Sequence, residues 1–177
     1  MIYQEKEFKL KEHRMIKSIP WSETCFGCND GPNEGIGMRA YISDDGYVVG
    51  ICETKALHQG FPGVIHGGLV GTYFDEVFWH ATRLQNPDLI AMTVEMTTYY
   101  RKPVRPGMKI RIIAEPAKFE GRHIYVTGYL RLPNDEIAAT ANIHYVTVRP
   151  EDSLRQDEWN REKHETPMEL VNRKLSF

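Results

Sequence analysis

The sequence has few cysteines, no long apolar run and no excess of charge of one sign. It contains three cysteines in 177 residues, a small and odd number that argues against a secreted module held together by disulfides. The formal net charge is only −2, so no strong field attracts nucleic acid or an anionic membrane surface. The N-terminus is charged throughout and no apolar stretch is long enough to span a bilayer. We therefore expect a cytoplasmic protein with no nucleic-acid or membrane partner.

The length and composition fit one globular domain with a sizeable core. Hydrophobic residues make up 41% of the chain and charged residues 26%, which is ordinary for a folded domain of this size. We expect this domain to occupy residues 25–149, after an N-terminal extension of residues 1–24. Residues 150–177 are densely charged and are expected to form a peripheral helix or a partly ordered tail.

The hydrophobic pattern predicts six strands and one long helix. Alternation with a period of two marks the strands, at residues 36–42, 47–53, 90–100, 108–115, 123–132 and 137–148. Between the second and third strands, apolar residues recur at helical spacing from Leu69 to Leu84. Short turns between consecutive strands predict an antiparallel sheet, and the helix must bury its apolar stripe against that sheet. The expected fold class is α+β.

Two short patterns resemble parts of metal sites. Cys25 and Cys28 form a C-x-x-C pair, but a structural zinc site takes four ligands and no second pair follows at a suitable spacing. We interpret this pair as a turn at the domain edge. Glu76 and His80 lie one helical turn apart, which favours an ion pair on the helix surface over a metal site. We therefore expect neither a metal nor a cofactor.

The stretch HGGLVGTYFDE, residues 66–76, combines features that are costly in a helix. Glycine costs about 1 kcal/mol relative to alanine inside a helix, and partial burial of a carboxylate is also unfavourable. Taken singly, the glycines fit close packing, the histidine fits a helix cap and Asp75 fits an ion pair. Together they fit a site: the first-turn N–H groups at Gly67 and Gly68 are accessible to a substrate oxygen. Asp75, beside Trp79, is then positioned to activate water or attack a carbonyl.

This pattern resembles a known family signature. In HQGFPGVIHGGLVGTYFDE an H-G-G opens the helix and an acid follows nine residues after the histidine, as in hotdog-fold acyl-CoA thioesterases of the PaaI and THEM type. The resemblance covers roughly residues 25–148 and includes CFGCNDGPNEG and MTVEMTTYYRKPVRPG. It implies a hotdog fold, with an antiparallel sheet wrapped around one long central helix, and an acyl-CoA substrate. It also implies a homodimer or a dimer of dimers, and pairing of exposed edge strands favours a dimer independently.

The resemblance assigns catalytic roles to four residues. The N–H of Gly67 is expected to hold the thioester carbonyl, and Asp75 to act as nucleophile or general base. His66 is expected to orient the loop and the glycine backbone. Thr93 matches a hydroxyl that orients water in some members, and it is expected to come from the partner subunit.

Other positions are expected to contact the substrate. They are Gln59, Gly68, Trp79, Tyr99, Arg101, Lys102 and Arg105. The basic residues among them follow a tyrosine pair and suit the phosphates of coenzyme A, although a solvated strand end explains them equally well. One departure from the family pattern is Gly60, where some members carry an asparagine near the attacking water. Gln59 or His58 is available to replace that asparagine.

Two alternatives accompany the expected hydrolysis of fatty or aryl acyl-CoA to a free acid and coenzyme A. The first is a non-catalytic acyl-CoA-binding hotdog protein, against which Asp75 argues because simple binding has little use for an acid beside a thioester. The second is a hotdog hydratase or dehydratase, which needs a histidine and a carboxylate on opposite sides of the acyl chain. The matching positions here hold Thr54 and Gly68, so this alternative is disfavoured.

Overall fold

The structure is a computed structural model, and it describes residues 8–29, 35–149 and 163–177. Strands dominate these ranges, together with one α-helix, α1 (Gly67–Thr82), and two short 3-10 turns at Ala56–His58 and Met168–Leu170. The strands are β1 (Glu12–Ile19), β2 (Trp21–Ser22), β3 (Arg39–Ser43), β4 (Val48–Glu53), β5 (Gln59–Phe61), β6 (Val64–Ile65), β7 (Ala91–Tyr100), β8 (Lys109–Ala114), β9 (Lys118–Glu120), β10 (His123–Arg131), β11 (Ile137–Thr147), β12 (Lys163–His164) and β13 (Lys174–Ser176).

A single large antiparallel sheet organises the domain. Its strand order is β13-β1-β3-β4-β8-β10-β11-β7, and β9 adds to β10. All six strands expected from the sequence, now β3, β4, β7, β8, β10 and β11, belong to this sheet. The helix α1 packs against β4, β7, β8, β10 and β11. The predicted α+β architecture, a sheet wrapped around one central helix, is therefore confirmed.

The apolar stripe of α1 is fully buried against the sheet. Tyr73, Val77 and Phe78 have no exposed side-chain surface. The helix lies close to the sheet because two strands carry glycine beneath it: a Cβ at Gly50 would overlap the Val77 side chain, and one at Gly128 would lie 2.7 Å from the Phe78 ring. Among the described residues, no helix is long and apolar enough to cross a membrane.

The edge strand β7 contains a β-bulge. Simple alternation along the sequence predicts that Ile90, Met92, Val94 and Met96 lie on one face of this strand. The structure corrects that expectation, because β7 has one residue more than β11 at Val94. An extra residue reverses the alternation, and the bulge therefore brings Thr93 to the same face as Met96, the face directed at α1.

The segments that flank residues 25–149 extend the same sheet. Strand β1 pairs with β3, and β13 pairs with β1. Phe177 is completely buried and stacks on His13 with ring centroids 3.8 Å apart. These segments complete a second apolar cluster on the sheet face turned away from α1, formed by Met15, Tyr41, Val49, Ile113, Tyr129 and Phe177. The expected helix or partly ordered tail is thus wrong for residues 163–177, while residues 150–162 lie outside the described residues.

Candidate functional site

The start of α1 is shaped by His66. This residue caps the helix, and its ring Nδ1 accepts a hydrogen bond from the N–H of Gly68 at 2.9 Å. The Gly68 amide is therefore occupied by the cap, and the expected contact of Gly68 with substrate stays a prediction. The same ring packs on the β5–β6 hairpin, where a Cβ at Gly60 would lie 2.7 Å from the imidazole. Position 60 has room only for glycine while His66 holds this position, which gives a physical reason for the departure from the family asparagine.

The Gly67 amide lies at the start of α1 and is not used by the helix cap. A first-turn N–H has no acceptor inside its own helix, and no group in the described ranges accepts a hydrogen bond from this one. The Gly67 carbonyl accepts a hydrogen bond from the Tyr100 hydroxyl at 2.8 Å. Tyr100 thus holds the first turn in place. Its neighbour Tyr99, the tyrosine expected to contact substrate, places its ring 6.0 Å from the Arg101 guanidinium.

A cleft of about 350 Å³ opens beside Gly67. It is lined by Val64, Ile65, Gly67, Val70, Tyr100, Arg101, Lys102, Pro103, Val104, Ala138 and Ala139. Two of the three basic residues expected to bind phosphate, Arg101 and Lys102, therefore flank the unpaired amide. Lys102 forms an ion pair with Glu136 at the rim. Arg105 lies outside this lining, and its carbonyl accepts a hydrogen bond from the Thr54 hydroxyl at 2.6 Å.

Asp75 lies two turns further along α1 and is half-buried. Its Oδ1 accepts a hydrogen bond from the Thr93 hydroxyl at 2.7 Å. This corrects the expectation that Thr93 comes from a partner subunit, because β7 of the same chain supplies it. The Tyr145 hydroxyl donates to the Asp75 carbonyl at 3.4 Å, and burial raises the pKa of Tyr145, so this group remains a donor. Trp79, one turn after the acid, donates its Nε1–H to the Ala91 carbonyl at 3.1 Å and ties α1 to β7.

The Gln59 side chain forms hydrogen bonds within its own loop and hairpin. Its amide nitrogen donates to the Ala56 carbonyl at 2.6 Å, and its amide oxygen accepts from the Gly63 N–H at 2.6 Å. His58 is buried, and its carbonyl accepts from the His66 N–H at 2.9 Å. The Gln59 side chain and the His58 backbone therefore stabilise the loop before α1. The expected contact of Gln59 with substrate stays a prediction.

The distance between Gly67 and Asp75 determines whether both residues of one chain can act on the same substrate. They are eight residues apart on α1, which corresponds to about 12 Å along the helix axis at a rise of 1.5 Å per residue. A reacting carbonyl needs its hydrogen-bond donor and its attacking group each within about 3 Å. The two groups of one helix therefore cannot act on the same carbonyl.

Known proteins resemble this chain in sequence and in fold. Residues 62–139, which include Gly67, Asp75 and Thr93, match the family model described as the thioesterase superfamily. The chain is 23% identical to the mouse acyl-coenzyme A thioesterase THEM4 over 157 residues, which cover 86% of this chain and 64% of the mouse protein. It thus spans less than two thirds of that relative's length.

Solved structures share the same architecture. The PaaI protein from the phenylacetic acid degradation operon of E. coli superposes with a TM-score of 0.58 at 17% identity, covering 64% of this chain and 81% of PaaI. The smu.793 protein of Streptococcus mutans, bound to acetyl CoA, superposes with a TM-score of 0.51 at 19% identity, covering 59% of this chain and 82% of that one. These similarities confirm the predicted hotdog fold.

Proposed function

We propose that the chain hydrolyses acyl-CoA thioesters to a free carboxylic acid and coenzyme A, since residues 62–139 match the thioesterase superfamily model and the fold is the hotdog fold. The observation that carries this proposal is the unpaired Gly67 amide beside a cleft flanked by Arg101 and Lys102. An amide N–H suits a thioester carbonyl, and guanidinium and ammonium groups suit the phosphates of coenzyme A. The name of the mouse relative and the acetyl CoA held by the S. mutans protein support the same substrate class.

In the proposed chemistry, the Gly67 N–H and the Asp75 carboxylate act on the same acyl group. The carbonyl oxygen accepts the Gly67 N–H, which stabilises the negative charge that develops on this oxygen. As a general base, Asp75 removes a proton from water while the water oxygen adds to the carbonyl carbon. As a nucleophile, Asp75 adds first and water then cleaves the resulting anhydride. In both routes the carbon–sulfur bond breaks and the departing coenzyme A thiolate takes up a proton.

Thr93 suits a supporting role in this chemistry. Its hydroxyl donates to Oδ1 of Asp75, which fixes the plane of the carboxylate. The other carboxylate oxygen, Oδ2, is then directed to water or to the acyl carbon. A fixed carboxylate favours attack because less orientational freedom is lost when the substrate binds.

A homodimer, or a dimer of such dimers, would bring the two halves of the site together. Since Gly67 and Asp75 of one helix lie about 12 Å apart, we infer that Gly67 of one chain works with Asp75 of the partner subunit. The edge strand β7 supports this assembly, because within the described residues no strand pairs with its outer side. Met92, Val94 and Met96 are 54%, 56% and 39% exposed on this strand. Pairing two copies of β7 would remove the open edge and place a second strand beside these side chains.

A thiol-release assay tests the proposed activity. We expect the purified chain to liberate free coenzyme A from at least one member of a panel of short, long and aromatic acyl-CoAs, with a matching yield of free acid. If calorimetry shows that the chain binds these acyl-CoAs but no thiol is released from any of them, the chain is an acyl-CoA-binding protein and not a hydrolase. Free coenzyme A without acyl group is the control ligand for binding through the phosphates alone.

Mixed dimers test whether two chains build each site. The Asp75→Asn chain keeps its Gly67 amide, and a Gly67→Pro chain keeps its Asp75. Refolding the two inactive proteins together in equal amounts yields half mixed dimers, each with one intact site of two, so about a quarter of the wild-type activity should return. Each protein refolded alone is the control. If the mixture stays as inactive as its components, the site does not span two chains.

A further inference from the structure

A second cluster of reactive side chains lies on the other side of α1 from the cleft. Cys25 and Cys28, from the turn after β2, place their sulfur atoms against the Glu76 carboxylate. Cys28 Sγ donates to Glu76 Oε1 at 2.8 Å, and Cys25 Sγ donates to Glu76 Oε2 at 3.2 Å. The three ligand atoms lie within 4.8 Å of one another. His80, one helical turn further on, places Nε2 3.5 Å from Glu76 Oε1.

The backbone of the turn explains how the two thiols converge. The Cys25 carbonyl accepts hydrogen bonds from the N–H groups of Cys28 and Asn29 at 3.2 and 2.9 Å, which curls the chain so that both sulfur atoms point the same way. Gly27 lies directly over the helix, where a Cβ would overlap the Glu76 carboxylate. This glycine therefore allows the turn to approach α1 closely enough for both cysteines to contact the same side chain.

The cluster is largely shielded from water. Cys28 is 3% exposed, and the side chains of Glu76 and His80 are 15% and 8% exposed. The Glu76 carboxylate accepts hydrogen bonds from both thiols and lies 3.5 Å from His80 Nε2. A buried carboxylate that is charged is costly unless a cation or several donors compensate it.

We propose that Cys25, Cys28 and Glu76 bind a zinc ion, with His80 as the positioning residue that orients the Glu76 carboxylate. Two thiolates and a carboxylate are established zinc ligands, and a C-x-x-C turn is a common way to present two of them. Ligand atoms bound tetrahedrally to one zinc lie about 3.3–3.8 Å apart, as follows from bond lengths of 2.0–2.3 Å. The 2.8 and 3.2 Å contacts need only a small outward shift to reach this spacing, and water completes the coordination.

The proposed site is independent of the proposed thioesterase activity. Zinc would join the turn after β2 to the middle of α1, at the residue next to Asp75, and so fix this part of the helix. Zinc binds cysteine as the thiolate, so binding releases protons from the two thiols. The affinity for zinc should therefore increase as the pH rises.

Metal titration of the full chain tests the site. The reduced protein, first stripped with a chelator, is titrated with Zn²⁺ and in parallel with Co²⁺. We expect about one ion per chain, and we expect Co²⁺ to produce the thiolate charge-transfer absorption of a sulfur-ligated site. A bound fraction near zero, for protein whose three thiols all react with a thiol reagent once it is denatured, would overturn the proposal. So would an isolated protein in which Cys25 and Cys28 form a disulfide and whose reduced form binds no metal.

Single substitutions test which residues bind the zinc ion. Cys28→Ala and Glu76→Gln should each weaken Zn²⁺ binding at least about 100-fold, and His80→Gln about 10- to 100-fold with the Co²⁺–thiolate absorption retained. Cys52→Ala is the matched control, because Cys52 is also buried and free but lies on β4, outside the cluster. Equal loss of binding in Cys52→Ala and Cys28→Ala would contradict the assignment. If Cys28→Ala does not fold, Glu76→Gln, which keeps the size of the side chain and removes its charge, decides the question.

Discussion

Asp75→Asn is expected to lower kcat/KM for acyl-CoA hydrolysis at least about 100-fold. An amide is neither a base nor a nucleophile at neutral pH, so both proposed routes fail in this variant. The amide oxygen still accepts the hydrogen bond that the Thr93 hydroxyl gives to Oδ1 at 2.7 Å. We therefore expect the free energy of unfolding to change by less than about 0.5 kcal/mol, with the oligomeric state unchanged.

Three measurements separate a chemical from a structural effect of this variant. Thiol release gives kcat/KM, denaturant unfolding gives stability, and size-exclusion chromatography gives the oligomeric state. Asp88→Asn is the matched control, because it makes the same chemical change at an exposed carboxylate in the loop after α1, and its activity should equal that of the wild type. Hydrolysis by Asp75→Asn within about twofold of wild type would remove the acid from the mechanism.

Gly67→Pro should lower kcat/KM by about 100- to 1,000-fold, the usual cost of one lost oxyanion donor. Proline has no N–H, and it is otherwise well suited to the first position of a helix. The preceding residue is also compatible, since His66 has φ −58° and ψ 132°, in the extended region that a residue before proline prefers. The substitution therefore removes the donor while leaving the start of α1 intact.

Gly67→Ala is the control for the added side chain. A Cβ at this position would meet the Tyr100 ring at 3.5 Å, an ordinary van der Waals contact. Because alanine keeps the N–H, we expect hydrolysis by Gly67→Ala to stay within about tenfold of wild type. Equal and severe losses in both variants would indicate that the free space at Gly67 matters and not its amide. Circular dichroism of both variants checks that α1 is retained.

The central helix and six sheet strands could be predicted because their hydrophobic periods are long and distinct. The α1 stripe and the alternation of β3, β4, β8, β10 and β11 each repeat over several residues, and turn residues separate them. The position of β7 could be predicted, but the facing of its first residues could not, because a bulge at Val94 depends on pairing with β11 and leaves no mark in the alternation. Beyond the bulge the alternation holds, so Tyr100 lies on the same face as Met96 and contacts Gly67.

The candidate site could be predicted only in part. Gly67 and Asp75 lie in one short motif, so local sequence was sufficient to select them. The cluster of Cys25, Cys28 and Glu76 could not be predicted, because Glu76 lies 51 and 48 positions from the two cysteines. Only the packing of their turn on α1 brings the three side chains together. The short pairings of β1 and β13 were missed because charged residues interrupt their apolar pattern.

The position of β1 between β3 and β13 has a consequence for the order of folding. Glu12 and Lys174, 162 positions apart, form an ion pair where β13 joins β1. At a translation rate of about 5–20 residues per second, β13 would therefore leave the ribosome roughly 10 to 30 s after β1. Pairings so distant in sequence form slowly because a long loop must first close. The layer around α1 is thus free to assemble on the nascent chain, and the outer layer that contains Phe177 closes last.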